Sequence, residues 1–138
     1  MNWSSWAILS AIFAGATAVL AKAGVKNVDS NLAMAIRTTV VLVMSWAVAA
    51  VLNRQPIASL TSKNWLFLVL SAVATGLSWI CYFKALQLGK ASQVAPVDKL
   101  SVVVAMALGV LFLGESLTLT HWLGGAFIVV GAVLLIGA

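Results

Sequence analysis

The chain consists of five long apolar segments separated by short polar stretches. Each segment is about 18–23 residues long, the length that an α-helix needs to cross about 30 Å of hydrocarbon. Strands of a β-barrel would be about half as long and would alternate apolar with polar residues, which these segments do not. The pattern therefore predicts an all-α integral membrane bundle of five transmembrane helices, over residues 3–22, 31–52, 64–86, 92–113 and 120–137.

The composition supports this assignment and excludes a water-soluble domain. Of the 138 residues, 63% are hydrophobic and only 8% are charged, whereas a soluble domain is about half apolar and a quarter charged. The net charge of +5 is therefore a topology signal, and it does not indicate a nucleic-acid partner. We expect a multi-pass protein of the cell inner (plasma) membrane, in contact with the lipid bilayer.

Short loops join the segments and contain residues that begin or end helices. Connections this short make consecutive helices antiparallel neighbours. Because no linker or internal repeat is visible, we expect a single domain over residues 1–138. The residues expected to begin or end helices are Asn27, Asp29, Pro56, Thr61 or Ser62, Gly89, Ser92, Gly114, and Thr118 or Thr120.

An odd number of spans places the two termini on opposite sides of the membrane. The positive-inside rule assigns the more basic face to the cytoplasm, and the C-terminus would then be inside. The bias is small enough to allow insertion in both orientations. One face receives Lys22, Lys26, Lys84 and Lys90 with Asp29, and the other receives Arg54 and Lys63 with Glu115.

Four charged side chains lie inside the apolar segments, in the same half of the membrane: Arg37, Lys84, Asp98 and Lys99. The long basic chain of Lys84 could snorkel to the headgroups, but the short side chain of Asp98 could not. Consecutive residues of a helix do not face each other. We therefore expect Asp98 to meet Arg37 or Lys84, and Lys99 to have a different partner. These charges form either a structural ion pair or a site for substrate or coupling ion.

Aromatic and small residues suggest where the helices meet each other or a ligand. Trp79 and Tyr82, with Phe83 beside them, could form an aromatic wall for a ligand, or could pack in the core or against lipid. Stripes of small residues mark close helix contacts. The stripes are Ala11, Gly15 and Ala18; Ser101, Ala105 and Gly109; and Gly124 or Gly125 with Gly131.

Catalytic and cofactor-binding patterns are absent from the sequence. No nucleophile, base and acid can be combined into a catalytic set, and no cluster has metal-site spacing. There is no phosphate-binding G-x-x-x-x-G-K-[ST] loop. We therefore expect neither an enzyme nor a cofactor. Two residues of the last two spans are assigned structural roles: Pro96 near the start of the fourth span, and Glu115 as a cap for the start of the fifth.

The last third of the chain carries a family resemblance. The stretch YFKALQLGKASQVAPVDKLSVVVAMALGVLFLGESLTLTHWLGGAFIVVGAVLL resembles the C-terminal half of an EamA repeat of the drug/metabolite transporter superfamily. The shared pattern is an aromatic-x-x-Ala-Leu helix end, Ala-Pro ahead of a long helix, Gly-Glu after it, and a Gly-containing last helix. The length is similar to the half-length, five-span bacterial and archaeal transporters of that superfamily.

The resemblance implies a mode of assembly and of action. Larger relatives carry ten spans as two inverted five-span repeats, so a single EamA-like repeat is expected to work as an antiparallel homodimer. The charge bias, in contrast, prefers one orientation. The expected function is secondary transport of a small organic solute by alternating access, as an exporter or exchanger. The alternatives are a non-transporting accessory subunit and, less favoured, a membrane enzyme or lipid-handling subunit.

The charges in the spans narrow the choice of mechanism. The small multidrug-resistance branch of the superfamily has an acidic residue in its first helix, which this chain lacks, so its cation-exchange mechanism does not carry over. Asp98 is the only candidate in the spans for a protonatable coupling group. The net basic character of the four buried charges favours an anionic or zwitterionic solute. The candidate solute or coupling residues are Asp98, Lys99, Arg37, Lys84, Trp79 and Tyr82.

Overall fold

The computed structural model describes residues 2–52 and 55–137, and most of these residues are helical. Within these ranges there is no β-strand, and a short 3₁₀-helix, Ile57–Ser59, precedes the third span. Five helical spans are long and apolar enough to cross a membrane, which confirms the predicted all-α fold. The helices are α1 (Trp3–Gly24), α2 (Ser30–Leu52), α3 (Ser62–Leu88), α4 (Ala91–Asp98), α5 (Ser101–Leu113) and α6 (Leu119–Ile136).

Several helix ends form as the sequence predicts. The Asp29 Oδ1 atom accepts hydrogen bonds from the backbone N–H groups of Asn31 and Leu32, at 2.9 and 3.1 Å, and so caps α2. The Thr61 Oγ1 atom accepts a bond from Asn64 N at 3.3 Å. Gly114 ends α5 in the left-handed conformation, with φ of 67°, which glycine adopts without steric cost.

Two predicted caps are wrong. Ser92 lies inside α4, which begins at Ala91 after Lys90 and has no side-chain cap. Glu115 does not cap α6, because Thr118 does so in a capping box with His121. The Thr118 N–H donates to His121 Nδ1 at 3.2 Å.

Glu115 instead turns back onto α5. Its backbone N–H donates to Gly109 O at 3.2 Å. Gly109 is buried, and a Cβ atom at that position would lie 2.7 Å from Glu115 Oε2. The absence of a side chain at Gly109 therefore makes room for the carboxylate.

The fourth span is not one continuous α-helix. Pro96 has no N–H to donate, so one α-helical hydrogen bond is missing there. The next residues bond to carbonyls three positions earlier, as in a 3₁₀-helix, and the chain makes a turn at Lys99 and Leu100 between α4 and α5. These bonds run from Lys99 N to Pro96 O, Leu100 N to Val97 O, Val102 N to Lys99 O, and Val103 N to Leu100 O, at 3.0–3.1 Å.

The chain divides into two compact units, the first formed by the described residues of 1–23 and 88–138. In this unit α6 packs against both α4 and α5. Gly125 faces α5, because a Cβ atom there would lie in van der Waals contact with the Met106 Sδ and Cε atoms, at 3.5 Å. Gly124 and Gly131 have no such neighbour within 4 Å, so Gly125 is the member of that stripe at the α5 contact.

The second unit, residues 24–87, contains α2 and most of α3. Gln87 Nε2 donates to Val28 O at 3.0 Å, and Arg37 lies against Trp79. Val28, just before α2, contacts Gln87 near the end of α3, whereas Arg37, further along α2, contacts the earlier residue Trp79. The two helices therefore run antiparallel, as predicted. Arg54, assigned to a loop face above, lies outside the described residues.

The apolar surface of the spans is almost entirely uncovered within one chain. In the most apolar 18-residue window of each span, between none and 11% of the residues are buried. A surface this apolar needs lipid or another protein against it.

The left-handed conformation of Gly114 generates a stability prediction. Gly114→Ala places a Cβ in an unfavourable backbone region and should destabilise the protein by about 1 kcal/mol. Gly76→Ala in α3 is the matched control, because the space around Gly76 is open within 4 Å. The measurement is the temperature at which the detergent-solubilised protein loses its monodisperse elution peak. Equal midpoints for the two variants would contradict the assigned role of Gly114.

Candidate functional site

An oppositely charged pair lies at the interruption of the fourth span. Lys99 Nζ is 3.3 Å from Asp98 Oδ2. The prediction that these consecutive residues do not face each other is wrong, because the flexible Lys99 side chain folds onto Asp98 where the chain makes a turn. Asp98 therefore has a neighbour in sequence as its partner, whereas the sequence favoured Arg37 or Lys84. The Lys99 side chain is 54% exposed and that of Asp98 is 37% exposed, so one chain alone does not bury the pair.

Lys99 also lines a groove of about 400 Å³ between α4 and α6. Apart from Lys99 the lining is apolar, and Pro96 forms part of it. A groove with apolar walls and one cationic group at its edge suits a small amphipathic molecule. The lining residues are Ala95, Pro96, Lys99, Ile128, Gly131 and Ala132.

In the other unit, the guanidinium group of Arg37 lies over two aromatic rings. Its guanidinium carbon is 4.6 Å from the centre of the Trp79 ring and 5.7 Å from that of Phe83. Such contacts contribute about 0.5–2 kcal/mol each, while a charged residue at the centre of a span costs about 2.5–3.5 kcal/mol on insertion scales. The aromatic contacts therefore offset part of the cost of placing Arg37 in a span. They do not satisfy the N–H donors of its guanidinium group.

Lys84 and Tyr82 have different surroundings from Arg37. Lys84 Nζ donates to Gln87 Oε1 at 3.2 Å, and the same Gln87 amide bonds to Val28 O, so Lys84 is tied to the end of α3. The Tyr82 ring meets Phe83 edge-on at 6.4 Å. The rings that lie against the Arg37 guanidinium are those of Trp79 and Phe83.

Phe83 is the residue of this cluster that sequence reasoning undervalued. It is 2% exposed, and it was counted only as a neighbour of the predicted aromatic wall. The usable signal was spacing, because Trp79 and Phe83 are four residues apart and so share one face of α3. An antiparallel neighbour then places Arg37 opposite that face.

The structure thus groups the predicted site residues into two sets, each within one unit. Asp98, Lys99 and Pro96 form the first set, at the interruption of the fourth span. The second set belongs to α2 and α3 and consists of Arg37, Lys84, Trp79 and Tyr82. No group of three or more His, Cys, Asp and Glu residues that could hold a metal ion occurs in residues 2–52 and 55–137.

Comparison with known proteins identifies the family. The model of the EamA-like transporter family matches residues 1–137. A protein of Sinorhizobium sp. described as an uncharacterized transporter in the cobO 3′ region is 53% identical over 135 residues, which cover 97% of this chain and 96% of that protein. An uncharacterized protein of Methanocaldococcus jannaschii is 36% identical over 69 residues, half of each chain.

No solved structure gives a significant match to this chain. The family favours transport over catalysis, in line with the expectation from the sequence. The matched relative extends the resemblance beyond the last third of the chain, because it covers the first three spans as well. The chain therefore belongs to the EamA-like transporter family and is a multi-pass membrane transporter.

Proposed function

We propose that the protein is a homodimeric secondary transporter of a small organic solute, an exporter or exchanger of the cell inner membrane that works by alternating access. The observation that carries this proposal is the charged pair Asp98–Lys99 at the 3₁₀ interruption of the fourth span, beside the groove between α4 and α6. Interrupted helices near the substrate are a recurring feature of secondary transporters.

The interruption supplies two things that transport requires. Polar side chains and irregular backbone are tolerated in a membrane where they line a cavity that water or solute can reach. A 3₁₀ stretch within a helix is also a common hinge. Asp98 is the protonatable member of the pair, and its contact with Lys99 can be exchanged for a proton or a solute.

A dimer follows from the size and the surface of one chain. Five spans that bury so little of their own apolar surface do not by themselves enclose a pathway. The inverted repeats of larger relatives favour an antiparallel arrangement of two copies. The basic residues favour one orientation only weakly, which is compatible with insertion both ways.

The coupling role of Asp98 is tested by removing its charge. Asp98→Asn should abolish gradient-driven uptake into proteoliposomes, because the amide can neither bind nor release a proton. Asp98→Glu should retain part of the activity. The measurement is initial uptake of a radiolabelled metabolite panel, with and without an imposed pH gradient.

The matched control for Asp98→Asn is Asp29→Asn. Asparagine also caps helices well, so this variant should keep both α2 and transport intact. Unchanged gradient-driven transport in Asp98→Asn would refute the coupling role.

The antiparallel dimer predicts two orientations in one membrane. In a Cys81→Ser background, a single cysteine placed at either terminus should react with an impermeant maleimide in intact cells, each in about half of the molecules. Labelling at only one terminus would establish a single orientation and exclude the antiparallel dimer.

A further inference from the structure

We propose that Arg37, held between Trp79 and Phe83, binds the carboxylate of the transported solute. This inference rests on the proposed transport function and names the chemical class of the solute. It starts from a cation within a transmembrane span that has two aromatic contacts and, among the described residues, no hydrogen-bond partner.

Every acidic side chain of the protein is engaged elsewhere. The chain has three acidic residues. Asp29 caps α2, Asp98 pairs with Lys99, and Glu115 lies against Gly109. Across the described ranges, Arg37 has no hydrogen-bond or ion-pair partner, although a guanidinium carries five N–H donors.

The position of the guanidinium argues against simple anchoring at the membrane surface. Arg37 is seven residues into α2, about 10 Å along the helix axis. On the antiparallel α3, Trp79 is one turn further from that end than Phe83. The guanidinium is closer to Trp79, so it does not extend toward the headgroups as a snorkelling arginine would.

The arrangement suits a carboxylate in shape and in charge. The two ring contacts hold the guanidinium in place, and a guanidinium can donate two parallel N–H···O bonds to one carboxylate. A planar carboxylate accepts such a pair and carries one negative charge, which matches a single arginine. A phosphate monoester carries nearly two negative charges at neutral pH and calls for a second cation. In this structure the Lys84 ammonium donates to Gln87 Oε1.

The test measures binding to the full-length protein in detergent as a shift of its thermal unfolding midpoint. The probes are benzoate, its neutral analogue benzamide, and phenyl phosphate, titrated at constant ionic strength. We expect benzoate to stabilise the protein and benzamide to have no effect. Arg37→Gln should abolish the benzoate shift. Arg37→Lys should weaken binding about tenfold, because it keeps the charge but loses the planar fork.

Lys63→Gln is the matched control, since it removes one positive charge at the start of α3, and it should leave the benzoate shift unchanged. Trp79→Leu should weaken the shift, whereas Trp46→Leu should not. If Arg37→Gln fails to give a monodisperse protein, the Arg37→Lys and Trp79→Leu titrations decide the question.

The outcomes separate this site from the proposed function. A benzoate shift that persists in Arg37→Gln, or no benzoate shift in the unmodified protein, would overturn the carboxylate site. A larger shift with phenyl phosphate would overturn the carboxylate assignment in favour of a phosphate ligand. The transport proposal is judged separately, by uptake into proteoliposomes of the same preparation, and fails if no member of the metabolite panel is moved.

Discussion

The lack of water in the bilayer core is the constraint on which this structure depends, because each polar group must find a partner within the protein or in a wet cavity. Four hydroxyl side chains of the spans meet this requirement inside their own helix. Thr38, Thr39, Ser45 and Thr75 each donate a hydroxyl hydrogen bond to the carbonyl four residues earlier, at 2.7–3.0 Å. These hydroxyls therefore need no cavity.

The candidate functional residues lie where this requirement is not met within a single helix. Arg37 is a cation with aromatic faces against it and no anion from the described chain. Asp98 and Lys99 pair with each other at the turn that follows α4. The polar groups that folding leaves unsatisfied or only loosely paired are the ones available to a solute or a proton.

The fold could be predicted from the sequence because the length and hydropathy of each span leave few alternatives. The caps at Asp29, Thr61 and Gly114 could be predicted because they depend on neighbouring residues alone. Ser92 was misassigned because α4 begins before it, at Ala91, without a side-chain cap. Glu115 was misassigned because Thr118 caps α6.

The candidate site was harder to predict because its pairings depend on backbone detail. The charged residues themselves stand out against apolar surroundings. Their partners do not, since the Asp98–Lys99 contact depends on how the Lys99 side chain folds at the turn after α4, and the Arg37–Trp79 contact depends on the register between two helices. For the Arg37–Trp79 contact the one available signal was the spacing of aromatic residues on α3. That spacing was interpreted as an aromatic wall for a ligand, with no cation beside it.

The 3₁₀ hydrogen bonds that follow Pro96 have a mechanical consequence. A 3₁₀-helix turns about 120° and rises about 2.0 Å per residue, whereas an α-helix turns about 100° and rises about 1.5 Å. For each residue that changes from 3₁₀ to α-helical geometry, α4 would rotate against α5 by about 20° and the span would shorten by about 0.5 Å. Rotation and shortening of the fourth span are therefore coupled at this point. If a few amide N–H groups change acceptors, the ammonium group of Lys99 moves around the helix axis.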